Sequence, residues 1–225
     1  MYVDFLRIYY QLPLLVFSNI ILIFSTLFCN YVDNSVKNNY CFGMRKLSVE
    51  ELERIDICQF KASRKLPLVV VLDNVRSLYN IGSVFRTADA FRIERIVLCG
   101  ITATPDKCLV EIHKTALGAE STVDWIYVQD TFQAVNDLKQ QGYTAVAVEQ
   151  VQNSEKLDVY EIPEGRYAVI LGNEVKGVRQ DVVDICDFSL EIPQYGTKHS
   201  LNVSVTAGIV MWEFLRQMKA DGMTL

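Results

Sequence analysis

Histidine is nearly missing from this chain, with only His113 and His199 among 225 residues. Six cysteines, at 29, 41, 58, 99, 108 and 186, never fall into a C-x-x-C spacing. Neither a zinc pattern nor a disulfide framework follows, and scattered free thiols fit a reducing cytosol, so a cytoplasmic protein is expected. No G-x-G-x-x-G occurs, which speaks against ordinary dinucleotide binding. A basic excess is lacking too: 22 Lys and Arg stand against 27 Asp and Glu, a net charge of −5. That disfavours broad, sequence-blind nucleic-acid binding, which needs cations to displace counterions. A local basic patch is still allowed. Gly and Pro are modest in number and half the residues are apolar, so most of the chain should be globular.

The first 43 residues differ from the rest. Residues 8–32 carry no charge, and residues 12–29 are apolar enough to suggest a membrane span. A lone Arg7 and no small-x-small site before Asn30 argue against a secretion signal. Phe, Ile, Leu, Asn and Tyr supply 25 of these 43 residues, and Ala and Glu are absent. That composition suits translated A/T-rich upstream DNA, so the expectation is a start near Met44, with a membrane anchor as the alternative. No stable membrane association is expected unless residues 1–43 are genuine.

From Met44 the composition is ordinary. Ser48 with Glu51 three residues on is a reciprocal capping pair, predicting a helix to about Ile57. Residues 44–66 thus form a short leading segment, locally basic through Arg45, Lys46, Arg54, Lys61, Arg64 and Lys65. This is where phosphate contacts would be sought first. Residues 67–225 read as one domain. Apolar runs at 68–72, 94–100, 122–128, 144–148, 167–171 and 188–192 predict about six strands. Helical stretches at 80–91, 108–117, 131–141, 179–186 and 202–219 lie between and after them. Such alternation predicts an α/β domain with a mainly parallel sheet and helices on both faces.

Three stretches concentrate polar groups where strands end. DNVRSLYNIGSVFRTADAF (73–91) places Asn80 as a helix cap, Ile81, Val84, Phe85 and Ala88 toward the sheet, and Arg86 within reach of Asp89. Asn80 as a mere cap and Arg86 as a mere ion-pair partner is the plain reading of the same spacing. ILGNEVKGV (170–178) has a G-x-x-x-x-G frame, but Val178 and Arg179 stand where a phosphate loop needs Lys and then Ser or Thr. Glu174 there either caps the next turn, orients the loop or holds a polar ligand. IPQYGTKHSLNVSVTAGIVMWE (192–213) joins a strand end, a polar loop with Ser200 and Asn202, and an apolar segment whose small residues Ser204, Ala207 and Gly208 permit close backbone approach.

In order, these motifs resemble the SpoU (TrmH) family of RNA ribose methyltransferases, of the SPOUT superfamily. The likeness rests on N-x-x-x-x-x-R-T-x-D-A-F from Asn80, I-L-G-N-E-x-x-G from Ile170 and I-P-x-x-G-x-x-x-S-L-N-V-S-V-x-x-G from Ile192. It covers residues 66–219. The resemblance implies a C-terminal deep trefoil knot, a homodimer, and S-adenosyl-L-methionine (AdoMet) bound in the knot near the subunit interface. It implies that Gly172, Ile192, Leu201 and Ser200 meet the cofactor, that Arg86 is the catalytic arginine, and that Asn80, Glu174, Ser200 and Asn202 complete the polar set. Methyl transfer to a ribose 2′-hydroxyl of tRNA, or of rRNA, is the implied reaction, with no metal. A non-catalytic RNA-binding or ribosome-assembly factor on the same fold is the rival reading.

Overall fold

Successive side chains of β1 (Leu66–Asp73) point to opposite faces of the sheet, and all but Pro67 are buried. Leu66, Leu68, Val70 and Leu72 enter one apolar cluster and Val69 and Val71 another. Both faces are therefore covered, the condition under which parallel sheets are found. The computed structural model describes residues 44–220, Gly222 and Thr224. The apolar run at 12–29 lies outside the described residues; among those described, no helix is long and apolar enough to cross a membrane.

The chain divides into two units, Met1–Arg54 and Ile55–Leu225. In the first, the Ser48–Glu51 pair forms as expected: the Ser48 amide donates to the Glu51 carboxylate at 2.8 Å. The helix it opens does not reach Ile57. It is a single 3-10 turn, Glu50–Leu52, ended by Glu53 in the left-handed region at φ 46°. A second capping box then competes for the chain. Asp56 accepts from the Gln59 amide at 2.8 Å and the Gln59 side chain accepts from the Asp56 amide at 3.0 Å, opening a new helix in the second unit.

In chain order that unit is α1 (Ile57–Ala62), β1, α2 (Leu78–Ala90), β2 (Ile93–Cys99), α3 (Leu109–Ala116), α4 (Ala119–Thr122), β3 (Trp125–Val128), α5 (Thr131–Gln140), β4 (Thr144–Val148), β5 (Glu155–Lys156), β6 (Tyr167–Leu171), α6 (Gln180–Val183), β7 (Phe188–Glu191) and α7 (Val203–Ala220). The sheet runs β3-β2-β1-β6-β4-β7-β5 with every pairing parallel. Consecutive strands step outward from β1 to β3, and the chain then crosses to build the other half. A reversal of this kind opens a crevice at the carboxyl ends of the strands.

α2, α3 and α7 cover one face, and α5 and α6 the other. Ile81, Val84, Phe85 and Ala88 of α2 are fully buried, as their spacing predicts. α7 leaves β7 and packs back over the sheet, its Phe214 ring edge-on to Tyr167 at 5.2 Å and Trp212 beside Phe91 at 5.7 Å. One expectation for α7 fails. Gly208 is not at a tight crossing, since the nearest atom to an added Cβ would be the Thr87 methyl at 4.0 Å.

Candidate active site

The site is built where β1, β4, β6 and β7 end. After β6, Asn173 and Gly177 exchange backbone hydrogen bonds at 3.1 and 2.9 Å and close a tight turn. Gly172 enters this turn against the backbone of Gly177 and Val178, which a Cβ would strike. Gly177 itself takes φ +68°, and a Cβ there would meet the Glu149 carboxylate. Close backbone approach is thus required at Gly172, which the sequence pattern marked only as a glycine after a strand.

Within the turn, Glu174 reaches across to the loop after β1. Its carboxylate accepts from the Arg76 and Ser77 amides at 3.0 Å each and from the Asn80 side-chain amide at 3.1 Å. Burial alone would raise its pKa, but these donors outweigh it and hold the group below the ordinary value. Asn80 is not the helix cap expected of it. Ser77 caps α2 through the Asn80 amide, which frees the Asn80 side chain. Its carbonyl oxygen accepts from the Asn202 amide at 3.1 Å. Asn202 in turn caps α7, accepting from the Ser204 amide at 2.9 Å and from its hydroxyl at 2.7 Å. One hydrogen-bonded chain, Asn202–Asn80–Glu174, therefore joins residues from all three motifs.

Beside this chain lies a cavity of about 720 Å³. Gly172, Glu174, Ile192, Ser200, Leu201 and Asn202 all line it. Its volume falls in the range of pockets that enclose small organic ligands. Asn80 touches the lining residues Glu174 and Asn202 through the relay. Arg86 does not line the cavity: it is exposed on α2. Its expected ion pair with Asp89 does not form; Asp89 accepts from the Thr122 hydroxyl at 2.5 Å.

Among the lining residues that the sequence did not single out, three polar ones tie the loops together. Asn173 donates to the Asn74 carbonyl at 2.7 Å and accepts from the Val175 amide at 3.0 Å. Glu149 accepts from the Val178 amide at 3.1 Å, tying β4 to the β6 turn. Gln150 donates to the His199 carbonyl at 2.7 Å, tying β4 to the β7–α7 loop. Glu149 and Gln150 directly follow an apolar strand, the same placement that singled out Glu174, and that was the available signal. Among the described residues, no cluster of three or more His, Cys, Asp and Glu is placed to hold a metal. Burial pushes the Cys99 and Cys186 thiols up to about 12, so neither is a ready thiolate.

The fold and site define a class: an open parallel α/β domain with a polar-rimmed cleft at the carboxyl ends of β4, β6 and β7. The model of the SpoU rRNA methylase family matches residues 67–212, and the chain belongs to that family. A 23S rRNA (guanosine-2′-O-)-methyltransferase of Neisseria meningitidis, RlmB, is 33% identical over 67% of this chain and 59% of its own length. This chain therefore spans less than two thirds of that relative. The TrmH/SpoU tRNA-modifying enzyme of A. aeolicus superposes with a TM-score of 0.65 at 27% identity, covering 74% of this chain and 82% of that one. An AdoMet-bound rRNA methyltransferase of Sinorhizobium meliloti gives 0.63 at 25% identity, covering 69% and 58%.

Proposed function

We propose that this protein transfers the methyl group of AdoMet to a ribose 2′-hydroxyl of tRNA or rRNA. The observation that carries the reading is the Asn202–Asn80–Glu174 chain set against the 720 Å³ cavity. Family membership and the activities named for the relatives support it. Gly172 lets the turn backbone close on the cavity wall, and Leu201 and Ile192 give it apolar surface beside polar Ser200, a lining that suits a nucleoside with an aliphatic tail. AdoMet supplies a methyl group on a sulfonium that is its own leaving group, so no metal is required.

The residues of this chain then have to bind RNA, orient one hydroxyl and stabilise the charge that develops on it. Glu174 is poorly placed to act as the base, because its carboxylate already serves three donors. Its work is to hold the β1–α2 loop. Arg86 is assigned to the adjacent phosphate and the developing alkoxide, since guanidinium groups hardly ever deprotonate in proteins. Arg86→Lys should keep RNA affinity within about threefold while turnover falls by roughly a hundredfold, the order of losing one oxyanion donor. Calorimetry with AdoMet, followed by transfer of radiolabelled methyl to bulk tRNA and rRNA, tests the reading. Tight RNA binding with no transfer would favour the non-catalytic assembly factor.

The same reading includes a homodimer and a C-terminal deep trefoil knot. Val205, Ile209 and Trp212 support the dimer: they recur along one side of α7 and stay between 38 and 53% exposed. Arg86 lies beside Thr87, which faces α7, so a second copy on this side would approach it. The knot is what family membership implies, and the return of α7 over the sheet is compatible with it.

A further inference from the structure

We propose that the tip of the β7–α7 loop, residues 195–198, reads the RNA beside the methylated ribose. Tyr195 would stack on an unpaired base and Lys198 would meet a neighbouring phosphate. This rests on the methyl-transfer reading above.

The loop has two sides. Gln194, His199, Ser200 and Leu201 line the cavity, whereas residues 195–198 do not and are exposed. Tyr195 is 94% exposed, so its ring packs on almost nothing within the chain. At Gly196 an added Cβ would find no atom within 4 Å, so the tip stands clear of the body. Gln150 holds the base of the tip through the His199 carbonyl at 2.7 Å. Among the described residues, the Tyr195 hydroxyl and the Lys198 ammonium have no hydrogen-bond or ion-pair partner. On the facing lip, Lys176 lines the cavity and is also exposed.

Chemistry favours RNA as the occupant. The 2′-hydroxyl has to reach the cavity mouth, and Gln194 and His199, which flank the tip, line that cavity, so the strand must pass close to the tip. Proteins recognise such splayed-out bases by stacking them on aromatic rings and pairing cations with flanking phosphates. In a chain of net charge −5, an ammonium at the mouth also supplies local attraction that the whole molecule does not.

The test uses the full chain with AdoMet present and a fluorescein-labelled, single-stranded RNA of mixed sequence. Tyr195→Ala should weaken RNA affinity about tenfold, the order expected for losing one base stack, while Tyr195→Phe stays near wild type. Lys198→Gln should reduce the slope of log affinity against log salt by about one. AdoMet affinity by calorimetry should not change in any of the three. With a methyl-accepting RNA, Tyr195→Ala should raise KM for RNA and spare kcat. RNA affinity for Tyr195→Ala within about twofold of wild type would overturn the proposal. If the wild type methylates no RNA at all, the enzymatic reading falls, and the anisotropy comparison still decides whether the tip binds RNA.

Discussion

Asn202 does two things that one substitution separates. Its carbonyl oxygen caps α7, and its amide nitrogen donates to Asn80. Asn202→Asp keeps the capping acceptor but loses the donor to Asn80. Asn202→Ala loses both, and the missing cap alone should cost about 1 kcal/mol of stability. The expected pattern is a near-normal melting temperature for Asp, a lowered one for Ala, and a large fall in kcat/KM for both; full activity in the aspartate variant would show that the relay is incidental. Glu174 gives a second handle, through pH. Its folded pKa lies below the ordinary 4.5, so its hold on the Arg76 and Ser77 amides is complete above that value and lost as pH falls through the lower folded one. The amide resonances of Arg76 and Ser77 should titrate with a midpoint below 4.5, and Glu174→Gln should abolish the titration. Asn80, Glu174 and Asn202 were legible as polar groups at strand ends or helix starts. Their bonding was not. Partners 94 and 122 positions apart are brought together by the crossing order of the strands, which a single sequence does not display.

At the scale of elements, β4 and β6 fall where five-residue apolar runs predict them, at 144–148 and 167–171. Buried parallel strands have no exposed face to interrupt the run. Helix ends were less legible, because capping residues compete locally. Ser77 rather than Asn80 starts α2, and Asp56 stops the segment from Ser48 growing into one helix. α6 is one turn long because the chain is soon committed to β7, where the Asp187 amide donates to the Ala145 carbonyl at 2.8 Å. The outer side of α7 carries the dimer prediction. Val210, Met211 and Phe214 are buried in the core, while Val205, Ile209 and Trp212 face outward. The paired change Ile209→Glu with Trp212→Glu should convert a dimer into a folded monomer, read by light scattering after size-exclusion chromatography. An unchanged mass would remove this stripe from the interface.

For the whole molecule, the sheet supplies rigidity and the loops at one edge supply the chemistry. The β1, β6 and β7 loops carry the three motifs, and the end of β4 fastens two of those loops through Glu149 and Gln150. Net negative charge fits this division: the proposed RNA attraction would fall to local cations around the cleft. Nucleoside mass spectrometry decides whether the protein methylates ribose from AdoMet. Bulk tRNA and rRNA from cells lacking the gene would be incubated with the protein, AdoMet and a metal chelator, then digested to nucleosides. A 2′-O-methylated nucleoside should appear with the wild type, persist under chelation and fall sharply with Arg86→Lys. A methyl group found only on a base, or none on any RNA despite AdoMet binding, would contradict it.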